Sequence, residues 1–180
     1  ARWEFYPTAN EVVSAGLFYK RFVDPIEMYF VPGTGSGGTR NFTYDNADMA
    51  QSYGVEVEVR RSLTSLFGEG YLGRFGVLLN GAYILTTVDL GEKAVGQEQQ
   101  RPLMGQSPYV LNAGIYYQDT EHKLQYNILY NVMGRRLFAV GTFGTPDLYE
   151  LPRHALDATL TKGIGKHLEL KVSVQDILNQ

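Results

Sequence analysis

Cysteine is absent, so disulfide frameworks, thiolate metal sites and cysteine nucleophiles are excluded together. Charged residues are scarce, 19% of the chain against the usual quarter. The net charge of −3 argues against a nucleic-acid surface. No apolar run approaches the 18 or so residues of a membrane-crossing helix. That absence says nothing about β-strands, which cross a bilayer with alternating residues and leave mean hydropathy, here −0.20, unremarkable. What the 180 residues do hold is glycine (20), tyrosine (13) and phenylalanine (9), with 44% hydrophobic residues. That is ample for burial, which excludes disorder, and it suits a single all-β domain with many turns.

Neither end reads as natural. Ala1 opens directly into Arg2-Trp3-Glu4-Phe5-Tyr6, without the basic and apolar regions of a signal peptide, and the chain stops at Asp176-Ile177-Leu178-Asn179-Gln180. The expectation is a piece of something longer.

Periodicity is two almost everywhere. Across 54–63, Val55, Val57, Val59 and Leu63 share one face, and Glu56, Glu58, Arg60 and Ser62 the other, with Arg61 breaking the apolar side near the strand end. Across 123–132, Leu124, Tyr126, Ile128, Tyr130 and Val132 oppose Lys123, Gln125, Asn127 and Asn131. Across 167–175, Leu168, Leu170, Val172 and Val174 oppose His167, Glu169, Lys171, Ser173 and Gln175. Such runs predict strands with one apolar and one polar face. Weaker alternation marks 13–20, 75–86 (where Asn80 lies on the polar side), 111–118 and 156–161, which makes about eight strands and no helix.

The connections alternate too. Residues 7–11, 119–121 and 163–166 are short turns of proline, glycine, asparagine or aspartate, with 64–73 a middling member of that set. Residues 31–39, 89–105 and 135–151 are longer, and the last two exceed ordinary hairpin length. Short turns at one end and long loops at the other are the asymmetry of a transmembrane barrel, periplasmic against extracellular.

An alternating sheet could instead close into a soluble lipocalin-like calyx holding a small apolar ligand, and length alone fits that. Two features favour the membrane. The polar faces mix Asn, Gln, Thr and Ser with charge, as a wet lumen would, and aromatics such as Phe75 and Tyr109 fall towards strand ends, where ring and hydroxyl suit the lipid interface. A passive outer-membrane pore is a further alternative, and an enzyme the least favoured reading. By turn counting, the first segment descends to the periplasm and the last ascends, so at least one closing strand is expected beyond Gln180.

In order, Arg2 to Pro7, then 13–27, then Asn46-Ala47-Asp48 with Tyr53-Gly54-Val55-Glu56-Val57-Glu58, then Leu151-Pro152-Arg153 through Leu156-Asp157, and 168–179 form a series. Together they resemble the C-terminal β-barrel region of a TonB-dependent outer-membrane receptor of Bacteroidetes type. The resemblance implies an antiparallel transmembrane barrel of 22 strands, of which this would be roughly strands 14 to 21. It also implies a plug domain and a TonB box in the same full-length chain, neither recognisable here, and outer-membrane lipids and TonB as partners. The implied function is active nutrient uptake without catalysis or cofactor. Siderophore, cobalamin, glycan and peptide receptors share these strand motifs.

Other candidates have plainer readings. The glycines of 33–38 lack the Gly-Lys-Ser/Thr and the helix of a phosphate loop, and read as a surface loop. Asp45, Asn46 and Asp48 could offer oxygens to Ca²⁺, but lack the spacing and closing glutamate, and read as a turn at a strand bend. His122, His154 and His167 show no ligand spacing, so no metal site is expected. Glu56, Glu58, Arg60, Asn80, Gln125 and Asn127 face the lumen, meeting water or the plug. Gln97 to Arg101 in the second long loop, and Phe138, Phe143 and Tyr149 in the third, could meet a ligand or a surface lipoprotein, or pack on one another.

Overall fold

In a computed structural model the described residues are 1–31, 41–142 and 145–179. Chain order runs β1 (Arg2–Phe5), β2 (Val12–Val23), β3 (Ile26–Val31), β4 (Asn41–Asn46), β5 (Met49–Ser62), α1 (Thr64–Phe67), β6 (Phe75–Asp89), β7 (Gln100–Arg101), β8 (Tyr109–Asp119), β9 (Leu124–Met133), β10 (Arg136–Ala139), β11 (Leu148–Glu150), β12 (Arg153–Ile164) and β13 (Leu168–Val174). The main sheet is ordered β1-β2-β5-β6-β8-β9-β12-β13 with every neighbour antiparallel, and β7 pairs with the upper end of β6. Two hairpins, β3–β4 and β10–β11, stand apart from it at the long-loop end.

Eight staves in chain order, joined alternately by short and long connections, are what the alternating runs predict. The middling connection differs. Residues 64–73 contain the single turn α1 and a 3-10 turn at Tyr71–Arg74, tied down where Thr64 Oγ1 donates to the Gly73 carbonyl at 2.7 Å. A one-turn helix has no room for a 3.6-residue pattern, so alternation could not reveal it.

The faces are unlike. On one, Leu17, Tyr19, Tyr53, Val55, Val57, Tyr83, Ile115, Ile128 and Leu170 are all exposed. Register places them side by side, with Tyr19 opposite Tyr53, Val55 opposite Tyr83, and Ile115 opposite Ile128. The buried apolar cluster lies elsewhere, as Tyr29, Ala47, Ala50, Val88 and Leu90 at the long-loop end. A calyx would bury the apolar stripe in its centre; here that stripe is exposed. Among the described residues the sheet does not close on itself, and β1 and β13 are its edges.

Two bare backbone positions on the opposite face let aromatic rings approach closely. A Cβ at Gly54 would strike the Tyr83 carbonyl oxygen and crowd the Phe18 ring, and one at Gly76 would strike the Tyr116 ring. The rings cover backbone that would otherwise be open between staves.

Candidate functional site

The apolar face carries two aromatic rows. Tyr83 is the register partner of Tyr109 at the long-loop end, and Phe75 of Tyr117 at the short-turn end. Tyr71, Phe75, Tyr117 and Tyr126 form a chain of rings, with Phe75 and Tyr117 centroids 4.9 Å apart and Tyr117 and Tyr126 5.4 Å. Eight residue steps separate the rows on both β6 and β8, roughly 27 Å along a strand. Tilted by about 40°, that becomes about 20 Å, the scale of the apolar band of an outer-membrane barrel.

The opposite face is polar in continuous register. Ser14 lies against Glu58, Glu58 against Asn80, Asn80 against Asn112 and Asn112 against Asn131. Asn131 donates an amide hydrogen to Asn112 Oδ1 at 2.5 Å, and Arg2 reaches Glu58 at 3.1 Å. One row up, Glu56 lies between Gly16 and Ala82; one row down, Arg60 lies between Val12 and Leu78. Towards the short turns Asn127 lies between Tyr116 and Thr159, and Gln125 between Gln118 and Thr161. All six residues read as lumen-facing share this side of the sheet.

At the long-loop end the sequence candidates separate. Arg101 is buried, and its Nη2 lies 2.8 Å from Glu27 Oε2, so it ties β7 to the β3–β4 hairpin and presents no charge to a ligand. Gln97 accepts the Phe30 backbone N–H at 3.0 Å and also borders an open groove of about 540 Å³. Tyr149 borders the same groove, while Phe138 stands exposed on the same β10–β11 hairpin. Phe143 and the glycines of 33–38 lie outside the described residues.

The long connections are themselves built. Tyr29 donates its hydroxyl to the Asn46 carbonyl at 3.2 Å, and Lys93 pairs with Asp45 at 3.1 Å. The Asn46 backbone N–H, reinforced by Lys93, holds the Asp45 carboxyl below its usual range. At the top of β6, the Gly91 N–H and the Gln100 amide do the same for Asp89. Asp45, Asn46 and Asp48 thus form a bonded bend between β4 and β5, as the turn reading has it.

The short-turn end holds a cluster that spacing did not reveal. Asp119, Glu121 and His122 bring their ligand-type atoms within 4.8 Å of one another. Asp119 is already engaged: it accepts the His122 backbone N–H at 3.0 Å, meets His122 Nδ1 at 2.9 Å, and pairs with Arg74. The His122 N–H above all, with the His122 ring and Arg74, lowers the Asp119 carboxyl to about 2. Arg74 is 45 residues away, so only the β6–β8 pairing makes the contact.

An apolar belt between aromatic rows, a polar face behind it, short turns at one rim and built loops at the other define a wall of an outer-membrane β-barrel. The family described as TonB dependent receptor-like, beta-barrel, matches residues 1–177, and the chain belongs to it. Among solved structures it is similar to the ferric-catecholate import receptor Fiu of E. coli, with 17% identity over 99% of this chain and 22% of that one, at a TM-score of 0.68. It is also similar to the ferric enterobactin receptor PfeA of Pseudomonas aeruginosa in complex with enterobactin, with 16% identity over 97% of this chain and 24% of that one, at a TM-score of 0.62. The chain therefore spans about a quarter of those proteins' length or less. A comparison with curated proteins returns no match.

Proposed function

We propose that this chain is wall and mouth of a receptor for TonB-dependent active uptake of a nutrient across the Gram-negative outer membrane. The observation that carries the reading is the two-faced sheet, belted by aromatics outside and lined by Ser14, Glu58, Asn80, Asn112 and Asn131 within, in a chain of this family. A polar lumen needs a plug to be selective, and Glu56, Glu58 and Arg60 are the charges a plug of the full-length protein would meet. Ligand capture falls to the loop rim, and a pull on the plug from the periplasm opens passage along the polar face. The motif order, ending in the β12–β13 hairpin, supports a place in the C-terminal part of the barrel.

The test is uptake by cells expressing the full-length receptor, with and without TonB. Uptake that stops without TonB or on collapse of the proton gradient supports the reading. Equal uptake in both backgrounds would make the barrel a passive pore and overturn it.

A further inference from the structure

Four described cations at the loop rim are paired with carboxylates. Among the described residues, Lys93 lies 3.1 Å from Asp45, Arg101 2.8 Å from Glu27, Arg136 2.6 Å from Glu150 and Arg153 2.9 Å from Asp176. Arg135 lays its guanidinium 4.3 Å from the centre of the Tyr149 ring. Lys20 and Arg21, above the Tyr19 row, rest against Phe18 and Met49.

The groove between residues 96–98 and the end of the β10–β11 hairpin has a different chemistry. Gln97, Glu98, Thr142, Asp147 and Tyr149 border it, and no cation does among the described residues. Tyr149 also borders the neighbouring hollow, where Arg135 lies over the ring. Asp147 Oδ1 accepts the Gly141 N–H at 2.7 Å, which fixes the carboxylate and leaves Oδ2 as a further acceptor. Glu98 is exposed.

An aromatic face flanked by two carboxylates and an amide complements a sugar ring, whose C–H face stacks and whose hydroxyl rim donates. The same carboxylates repel a polyanion, and among the described residues no cation borders the groove to neutralise one. We propose that this groove takes a neutral, hydroxyl-rich ligand, a sugar ring stacked on Tyr149 with hydroxyls donated to Glu98 and Asp147, and that it rejects anionic ferric catecholates. The proposal rests on the receptor reading and gives it a substrate class.

The experiment is calorimetric titration of the detergent-purified full-length receptor with a panel of neutral glucans, fructans and mannans, and with ferric enterobactin as the anionic probe. At least one neutral oligosaccharide binds and ferric enterobactin does not. Tyr149→Ala weakens binding about tenfold or more while Tyr149→Phe, which keeps the ring, stays within about twofold. The double variant Glu98→Gln, Asp147→Asn keeps the Gly141 bond and weakens binding with unchanged heat-modifiable migration of the barrel. Binding of ferric enterobactin, silence across the oligosaccharide panel, or indifference to Tyr149→Ala each overturns the proposal. TonB-dependent uptake of a non-sugar nutrient would overturn it alone, whereas TonB-independent uptake would overturn the receptor reading beneath it.

Discussion

Arg101 Nη2 lies 2.8 Å from Glu27 Oε2, and both side chains are almost wholly buried, at 1% and 7% exposure. The pair joins segments 74 residues apart in sequence, beside the cluster formed by Tyr29, Ala50, Val88 and Leu90. Removing one partner leaves a buried charge uncompensated, which costs about 3–5 kcal/mol. Glu27→Ala should therefore free the β3–β4 hairpin, seen as fast amide exchange over the described residues 26–31 and 41–46. Glu27→Leu combined with Arg101→Met should restore much of the protection. If the double variant exchanges as fast as the single one, the pair is not what holds the hairpin.

Val57 lies on the apolar face between Ala15 and Gly81, and Glu58, the next residue, lies on the polar face beside Arg2. A basic residue on the lipid face costs about 2–4 kcal/mol near the midplane. Val57→Arg should lower the yield of folded, heat-modifiable barrel in the outer membrane, and Glu58→Gln should leave it near the parent level. Equal losses from the two would show that the faces are assigned wrongly.

Gly76 has the Tyr116 ring on its bare backbone. Gly76→Val forces the ring aside, an overpacking worth about 1–3 kcal/mol. Slower assembly is expected, with recovery when Tyr116→Ala is added. A second substitution that makes matters worse would mean the ring is needed for some other contact.

Asp119 sits two residues beyond the Tyr117 row, at the β8–β9 turn, with its carboxyl lowered to about 2. The folded turn prefers the ionised form, so the contribution is full above the ordinary carboxylate value near 3.8 and is lost as pH falls towards about 2. Amide exchange at His122, whose N–H donates to Asp119, should accelerate over that window. Asp119→Asn should expose the amide more at neutral pH and flatten the profile; an unchanged profile would place the acid response elsewhere.

Much of this was legible in the sequence because side chains in a strand alternate between faces, a local property of the backbone. The runs around Val57, Ile128 and Val172 mark one apolar face, and Glu58, Asn80 and Asn127 the polar face opposite, and the strand pairing keeps each set on one side. The loop rim was less legible. Arg101 and Tyr149 looked alike as exposed candidates, yet one is a buried strut and the other borders an open groove. Phe143 lies outside the described residues, so its place in the rim stays an expectation from sequence.

By itself, then, the sequence determined that the protein is a ribbon of antiparallel staves with an apolar side, a polar side and two unequal rims. Only the tertiary structure decided which charges are spent and which are available. Alternation is written residue by residue, but Glu27 meets Arg101, and Arg74 meets Asp119, through register and loop folding that bring together groups 74 and 45 residues apart. A cation's usefulness to a ligand depends on whether such a distant carboxylate has already neutralised it.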